Sequence, residues 1–384
     1  MASCLAPVAH SARPGQPLLP SGVEFRRPPQ GPGQGTQTGV RRPHQSAAVR
    51  RRREDAQAGR LRDRRRVSAR SAGRGGTRDR VRGRGGCAPV TTWISWHVHR
   101  HQGQDRLLTE SIAPLIRAVR DDGLADRAFI LRYWDGGPHV RLRLRATSPA
   151  AQAALGSRVP AELRRWCREH PSERTMCAEE YALLRNRIGD IASAAELVSD
   201  GSVVRAAYSP EHQRYGYGTA LAACEEHFDD STRIGLDVLA ANPAAATRLS
   251  LVVLILVGFL AARGSRSGLD WAQCVQAAGS PAAVRLDLAR VTSLLERPPM
   301  PVVRFSRSLE QLEAVLRTSG DDYRPSTLGF GGVSFEVTGA RDPIATLDIC
   351  IHLFANRIGV TMPAELTLRA SLAQALLADT KADA

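Results

Sequence analysis

The chain has 384 residues and a formal net charge of +15 at pH 7, and a balance this basic ordinarily suggests a nucleic-acid partner. The charge is unevenly distributed, however. Residues 1–90 contain 20 Arg against 5 acidic residues, whereas residues 91–384 contain 33 basic and 33 acidic residues. The neutral body therefore gives no reason to expect nucleic-acid binding there, and the basic character belongs to the first 90 residues.

Residues 1–90 are rich in Arg, Gly, Pro, Ser and Gln and show no apolar periodicity. Such a segment cannot bury a core, so its composition predicts a disordered leader whose Arg runs could bind polyanions non-specifically. The chain contains a single lysine, Lys381, against 52 arginines, which is the bias of a GC-rich genome. Non-coding DNA upstream of a gene in such a genome translates into sequence of similar composition. We therefore expect equally that the start codon is mis-called and that the natural protein begins near Val90.

The body shows predicted elements in the following order. Strict alternation predicts a strand over residues 91–99, and apolar residues at helical spacing predict a helix that begins at Gln104 and is ended by Gly123. Two further strands, 128–133 and 139–145, flank a Gly-Gly-Pro turn, and a short strand covers 201–208. The other predicted elements are helices, over residues 149–170, 220–228, 230–239, 244–262, 269–278, 282–295, 309–318, 349–357 and 363–377.

Short strands joined by turns or by long helices indicate an α+β fold, in which a mixed or antiparallel sheet packs against helices. We expect one large domain over residues 91–380, after the leader. The longest apolar run, 249–262, is shorter than the roughly 18 residues of a membrane span and predicts a buried central helix. The seven cysteines show no CxxC pair or metal-ligand spacing, and the N-terminus lacks the apolar region of a secretory signal. We therefore predict a cytoplasmic protein with reduced thiols and no membrane association.

The strand at 139–145 carries the most informative pattern. Its apolar residues alternate with His139, Arg141, Arg143 and Arg145, so these four side chains share one face. A solvated strand face usually mixes charge signs, because like charges in a row repel. The pattern therefore leaves two interpretations open, an exposed strand face or a surface that receives an anion.

Two more groups of residues are candidates for a site. Residues 208–218 combine three tyrosines, Glu211, Arg214 and two glycines, and loops of this composition often build functional sites. The alternative is that Arg214 simply pairs with Glu211. On the predicted helix 349–357, His352 and Asn356 are four residues apart and so share a face, but a histidine on an apolar helix is more often a hydrogen-bonded core residue. A third group, the alternating His97, His99 and His101, could chelate a metal or lie at the surface, and we expect no metal site.

Taken together and in this order, the motifs resemble the C-terminal elimination domain of class I lanthipeptide dehydratases, a domain that also occurs as free-standing proteins in thiopeptide pathways. The resemblance covers residues 91–380 and none of the leader. It is carried by Trp93-x-x-Trp96, by Phe129-Ile-Leu-Arg132-Tyr133, by His139-x-Arg141-x-Arg143, by the Tyr-x-x-Glu-x-x-Arg-Tyr-Gly loop that begins at Tyr208, and by His352 with Asn356 and Arg357.

This resemblance implies a substrate, a reaction and a set of roles. The family removes glutamate by β-elimination from glutamylated Ser or Thr of a ribosomal precursor peptide, which leaves dehydroalanine or dehydrobutyrine. It implies that His352 and Arg214 are catalytic and that Arg141, Arg143 and Arg214 bind the glutamyl carboxylate. Supporting roles fall to His139, Tyr215, Asn356 and Arg357, and no metal or organic cofactor is required.

Two departures from the family pattern qualify these expectations. About 290 body residues cannot also hold the large glutamylation domain, so the resemblance implies a separate partner subunit that glutamylates the peptide from glutamyl-tRNA. The loop also has Tyr217 between Gly216 and Gly218 where the family commonly has two adjacent glycines, and this bulky residue could reshape the pocket.

Two other functions remain open. Thiopeptide pyridine synthases share the fold, join two dehydroalanines by formal [4+2] cycloaddition and release the leader peptide, but they do not need a glutamate-binding arginine set. The presence of all three arginines and the histidine favours elimination. The second alternative is a non-catalytic partner that presents the precursor peptide to other enzymes.

Overall fold

Four strands form one sheet in the order β2-β3-β1-β4, and every pairing is antiparallel. The computed structural model describes residues 92–188, 195–277, 286–325, 329–330, 333–334 and 343–382; the predicted leader, residues 1–90, lies outside these ranges. The described residues group into one compact unit. The prediction of an α+β fold with an antiparallel sheet is confirmed. The strands are β1 (Thr92–His99), β2 (Ala125–Tyr133), β3 (His139–Ala146) and β4 (Val203–Ala206), and a separate pair consists of β5 (Gly329–Phe330) and β6 (Val333–Ser334).

Helices surround the sheet on both faces. The first is a continuous helical segment made of α1 (Gln104–Leu107), a π-helical turn (Leu108–Ile112) and α2 (Ala113–Asp121). The others are α3 (Pro149–Glu169), α4 (Ala178–Ile188), α5 (His212–Tyr215), α6 (Gly218–Ala240), α7 (Ala245–Ala261), α8 (Gly264–Ala277), α9 (Leu288–Leu295), α10 (Met300–Thr318), α11 (Ile344–Arg357) and α12 (Met362–Ala382), with a 3₁₀ turn at Gly320–Asp322.

The helices of the structure differ from the predicted ones at several places. The two helices predicted over 220–228 and 230–239 are one helix, α6, because the acidic pair Asp229 and Asp230 is bonded to neighbouring elements instead of ending the helix. Helix α10 begins nine residues before the predicted start, at Met300, where Pro301 occupies the first turn that proline tolerates. Helix α4 was not predicted, since it buries Tyr181 but leaves Leu183 60% exposed and therefore lacks an apolar stripe.

The two faces of the sheet contact different cores. On one face, alternate residues of β1 and β3 pack with the apolar residues of α2 and α3. On the other face, Phe129 of β2 joins a larger core built from α6, α7, α10 and α11. The run Leu251 to Leu256 of α7 is entirely buried in that core, which confirms the predicted central helix. None of the described helices is long and apolar enough to cross a membrane.

Strand β2 is an edge strand whose free amide groups are bonded by side chains of the helices beside it. The backbone N–H of Ala128 donates to Asp229 Oδ1 at 2.8 Å, and that of Ile130 donates to Thr232 Oγ1 at 3.2 Å. Further along the strand, the N–H of Arg132 donates to Asn356 Oδ1 at 2.8 Å. Because an unpaired edge would otherwise stay open, these bonds dock α6 and α11 against the sheet and so fix the walls around its second face.

Candidate active site

The second face of the sheet carries the arginine row of β3, and we call it the arginine face; on β3 it consists of His139, Arg141, Arg143 and Arg145. The strand register places Ser95 opposite Arg143 on β1 and Phe129 opposite Arg143 on β2. The prediction that the four side chains share one face is confirmed, since the intervening Val140, Leu142 and Leu144 are fully buried in the other core.

Arg143 is enclosed by aromatic rings. Its guanidinium carbon lies 5.0 Å from the ring centroid of Phe129 and 4.8 Å from that of Tyr208, and the Tyr208 hydroxyl donates to Glu225 Oε1 at 2.8 Å. Burial lowers the pKa of Arg143, while the charge of Glu211 partly offsets this lowering. The Nε atom of Arg143 is buried and has no hydrogen-bond partner among the described residues. The site therefore holds a partly desolvated cation in a fixed stacked geometry.

Arg141 is held from two sides. Its guanidinium carbon lies 3.4 Å from the ring centroid of Tyr133, and its Nε donates to His139 Nε2 at 3.4 Å. The Nδ1 atom of His139 lies 2.9 Å from the carbonyl oxygen of Gly137, which can only accept, so Nδ1 carries the proton and Nε2 is free to accept from Arg141. Burial lowers the pKa of His139 to about 4, so His139 is neutral at pH 7 and adds no charge to the arginine face.

The predicted alternation of His97, His99 and His101 along one strand is wrong at its end, because β1 ends at His99. His97 and His99 pack against His139, with ring centroids 4.6 and 4.7 Å from it. His101 lies beyond the strand, where its ring nitrogens bond to the backbone of Met176 and Val198 at 3.1 and 3.0 Å. The three rings therefore do not converge on one point.

Arg145 differs from the other arginines of its strand. Its Nε and Nη2 atoms donate to the two carboxylate oxygens of Asp126 at 2.8 and 2.6 Å. Among the described residues, no carboxylate lies within ion-pair distance of Arg141 or Arg143. Arg145 is thus an ion-paired residue at the rim, in agreement with the lack of any family motif at this position.

The loop that follows β4 contacts the arginine face through Tyr208 and also carries Arg214. Arg214 Nε lies 3.1 Å from Glu211 Oε2, so the alternative that these two residues pair is confirmed. The negative charge of Glu211 also acts on Arg141 and Arg143, whose lowered pKa values it partly restores. The backbone carbonyl of Arg214 accepts from Thr346 Oγ1 of α11 at 3.1 Å. The loop is therefore electrostatically coupled to β3 and anchored to α11.

The two glycines of this loop have a structural reason. Gly216 has φ 79°, and a side chain there would collide with the backbone carbonyl of Asp322, which accepts from Tyr217 N at 2.7 Å. A side chain at Gly218 would collide with the carboxylate of the same aspartate. Tyr217 points outward, is 55% exposed and stacks on His212 at 4.4 Å, so this extra residue does not fill the space beside Arg143.

Two of the predicted supporting residues are buried beside Arg143. Tyr215 is 5% exposed and packs edge-on against Phe228 with centroids 5.1 Å apart. Arg357 is fully buried, and its Nε and Nη1 atoms each donate to a hydroxyl of α6 at 3.2 Å. Its Nη2 has no partner among the described residues. Burial, together with the charge of Arg143, lowers the pKa of Arg357 to about 10.

Helix α11 connects the loop that carries Arg214 with strand β2. Near its start, Thr346 binds the carbonyl of Arg214, and at its end Asn356 binds the backbone of Arg132 on β2. His352 lies between these anchors, one helical turn before Asn356 and on the same face. Its Nδ1 lies 2.8 Å from Glu365 Oε2. The expectation that a histidine on this helix is hydrogen-bonded is therefore confirmed.

Sequence reasoning missed the aromatic enclosure and the partner of His352. Phe129 and Tyr208 lay within the motifs, but only the register and the fold of the loop show that both contact Arg143. Glu365 was not singled out, although Glu365 and Arg369, four residues apart, form the pair spacing that a helix favours. As a whole, the site presents buried guanidinium groups that lack carboxylate partners among the described residues. Such groups are suited to bind a carboxylate with two parallel hydrogen bonds.

Comparison with known proteins identifies the family of the chain. The family described as lantibiotic biosynthesis dehydratase C-term matches residues 93–376, so the chain belongs to that family. Family membership places the chain in the biosynthesis of ribosomally made peptide natural products. No curated protein sequence matches the chain.

Solved structures share the fold at low identity. The pyridine synthase TbtD from thiomuracin biosynthesis is 19% identical with a TM-score of 0.54, over 76% of this chain and 99% of TbtD. The tRNA-dependent lantibiotic dehydratase MibB from Microbispora sp. 107891 is 20% identical with a TM-score of 0.50, over 78% of this chain. The chain spans 29% of the length of MibB.

Proposed function

We propose that this protein eliminates glutamate from glutamylated Ser and Thr side chains of a ribosomal precursor peptide, which leaves dehydroalanine or dehydrobutyrine. One observation carries the proposal: Arg141 and Arg143 are held in fixed positions on one sheet face, and no described carboxylate pairs with either. A desolvated cation without a partner is costly. A site that retains two of them is suited to an anionic ligand.

The reaction needs a base and fixed positive charge from the protein. A base removes the proton on Cα, the Cβ–O bond of the ester breaks, and the electron pair leaves with the oxygen as the carboxylate of free glutamate. Negative charge develops first on the enolate and then on the departing carboxylate, and fixed arginines stabilise both. This chemistry requires no metal or organic cofactor.

We infer the following roles from the family resemblance together with the contacts described above. Arg141, Arg143 and Arg214 bind the free carboxylate of the glutamyl group, and Glu211 pairs with Arg214 in the absence of substrate. His352 accepts the Cα proton, since histidine exchanges protons near neutral pH. His139 orients Arg141 through its Nε2 atom. Tyr215 and Arg357 are buried residues that pack beside Arg143, and Asn356 fixes α11 to strand β2.

The proposed partners are the precursor peptide and a separate subunit that glutamylates it from glutamyl-tRNA. The setting of the reaction is the cytoplasm, where glutamyl-tRNA is made. The second candidate function is pyridine synthesis from two dehydroalanines, and the fold shared with TbtD supports it.

The test is to give the purified protein a glutamylated precursor peptide and follow the products by mass spectrometry. Loss of glutamate with formation of the dehydro residue supports elimination. Arg143→Ala and His352→Ala should leave glutamylated peptide, while Arg145→Ala, on the same strand but paired with Asp126, should remain active. Cyclisation of a dehydrated peptide with loss of its leader would instead establish the synthase. Full dehydration by both variants would show that neither Arg143 nor His352 is needed for elimination. A wild-type protein that leaves the glutamylated peptide unchanged would support a non-catalytic presenting role.

A further inference from the structure

His352 belongs to a largely buried network that reaches across three helices. Its Nδ1 lies 2.8 Å from Glu365 Oε2, and the other carboxylate oxygen, Oε1, accepts from Arg369 Nε at 2.9 Å. Arg369 Nη1 in turn donates to Asp348 Oδ1 at 2.6 Å, and Trp271 Nε1 donates to the same oxygen at 3.4 Å. Helices α8, α11 and α12 all contribute to this network.

The charged residues of this network are buried. Glu365, Arg369 and Asp348 are each at most 1% exposed. Burial alone would raise the pKa of Glu365, but the charge of Arg369 and the hydrogen bonds that Glu365 accepts lower it below its ordinary value. Glu365 is therefore a carboxylate at neutral pH, and a carboxylate can only accept hydrogen bonds.

This fixes the imidazole of His352. Because Glu365 Oε2 can only accept, Nδ1 of His352 carries a proton, and in the neutral ring Nε2 is the unprotonated nitrogen. A ring held in this tautomer presents Nε2 as a base, and the carboxylate behind it stabilises the imidazolium that forms when Nε2 takes a proton. Glu365 is itself held in place, since Arg369 donates to its other carboxylate oxygen, Oε1.

We propose that Glu365 is a positioning residue that sets the tautomer and orientation of His352 for removal of the Cα proton. This role rests on the proposed function. In the elimination step Nε2 of His352 takes the Cα proton, the Cα electron pair forms the Cα=Cβ bond, and the Cβ–O electron pair leaves with glutamate. Glu365 takes no proton and touches no reacting atom.

The first test reads the tautomer directly and needs no substrate. The intact protein is labelled with ¹⁵N-histidine and examined by long-range ¹H–¹⁵N NMR at pH 8, and His352→Ala identifies the signal of His352. We expect a proton on Nδ1 in the wild type. In Glu365→Gln, the amide can donate to Nδ1, so we expect a mixed or reversed tautomer. A proton on Nε2 in the wild type, or an unchanged signal in the variant, would overturn the role of Glu365.

The second test separates positioning from folding. Glu365→Gln should lower kcat for glutamate elimination by about 100-fold or more, with KM changed less than about threefold, because the ground-state arginine contacts are intact. Asp348→Asn is the matched control, since Asp348 belongs to the same buried network but does not touch His352. It should lower the midpoint of unfolding with little effect on kcat. An equal loss of kcat in both variants would assign Glu365 a structural role only.

The third test is a double-mutant cycle. In a His352→Ala background, Glu365→Gln should change the residual elimination rate less than about twofold, because its effect acts through the imidazole. If Glu365→Gln lowered the elimination rate in the His352→Ala background by as much as in the wild type, Glu365 would not act through His352. If the wild-type protein does not eliminate glutamate at all, the proposed function fails, while the NMR test still decides whether Glu365 fixes the tautomer.

Discussion

The side-chain amide of Asn356 pairs with the backbone of Arg132 as a neighbouring strand would. Asn356 Oδ1 accepts from the N–H of Arg132 at 2.8 Å, and Asn356 Nδ2 donates to the carbonyl oxygen of Arg132 at 3.0 Å. The next residue along β2, Tyr133, stacks on Arg141. The side chain of Asn356 therefore joins helix α11, which carries His352, to strand β2, whose Tyr133 stacks on Arg141.

The first prediction concerns this joint. Asn356→Ala removes both hydrogen bonds and leaves a half-buried N–H and C=O without partners, so the free energy of unfolding should fall by about 2 kcal/mol. Urea denaturation at pH 7 measures this change. The control is Arg317→Ala, which removes an exposed ion pair with Glu313 and should cost less than about 0.5 kcal/mol. An Asn356→Ala midpoint as high as that of the control would show that the joint contributes nothing.

The arginine face could be predicted because its cause is local. Period-two alternation places Arg141 and Arg143 on one side of a strand whatever the rest of the chain does. The pairing of Arg214 with Glu211 is equally local, three residues apart. The joint between Asn356 and Arg132 spans 224 residues of sequence, and no spacing rule relates such positions.

The partner of His352 shows the same limit at shorter range. Glu365 is thirteen residues away, on the next helix, and only the packing of α11 against α12 brings the two side chains together. The break wrongly predicted within α6 has a related reason. Two adjacent aspartates indicate a helix end by propensity, but Asp229 bonds the edge of β2, and this tertiary contact outweighs the local preference.

The second prediction concerns the glycine at the base of the Arg214 loop. Gly216→Ala combines a positive φ with a collision against the carbonyl of Asp322. Gly320→Ala is the matched control, since Gly320 also has a positive φ, 56°, but open space around it. The control should cost about 1 kcal/mol, and Gly216→Ala should cost about 2 kcal/mol more. Thermal or urea unfolding measures the stability of both variants. Equal losses of unfolding free energy would show that the backbone at Asp322 moves aside without cost.

The third prediction concerns acid stability. His227 is fully buried, and burial lowers its pKa from 6.5 to about 3. Its Nδ1 donates to Ser308 Oγ at 2.9 Å, since the Ser308 hydroxyl itself donates to Asp230. Below pH 6.5 the unfolded chain takes up a proton at this histidine while the folded chain does not, so stability falls as the pH is lowered toward 3.

Between pH 7 and pH 5 this one group should therefore reduce the free energy of unfolding by about 2 kcal/mol. His227→Gln keeps an amide donor for Ser308 but does not titrate. The variant should lose less stability over that interval than the wild type, by about the same 2 kcal/mol, in urea titrations at the two pH values. Identical losses in the two proteins would mean that His227 is protonated in the folded state as readily as in the unfolded chain.

The fourth prediction separates charge from shape at the site. Arg143→Lys keeps the positive charge but loses the planar fork and its stacking between Phe129 and Tyr208. If bidentate binding of the glutamyl carboxylate is what Arg143 supplies, elimination of glutamate should slow by about 100-fold. Arg145→Lys changes the same residue type two positions along the strand, where the partner is Asp126, and should slow it less than about twofold. Single-turnover assays with a glutamylated peptide, read by mass spectrometry, give both rates. If Arg143→Lys eliminates glutamate as fast as the wild type, position 143 provides only positive charge. Bidentate binding of the glutamyl carboxylate would then have to come from Arg141.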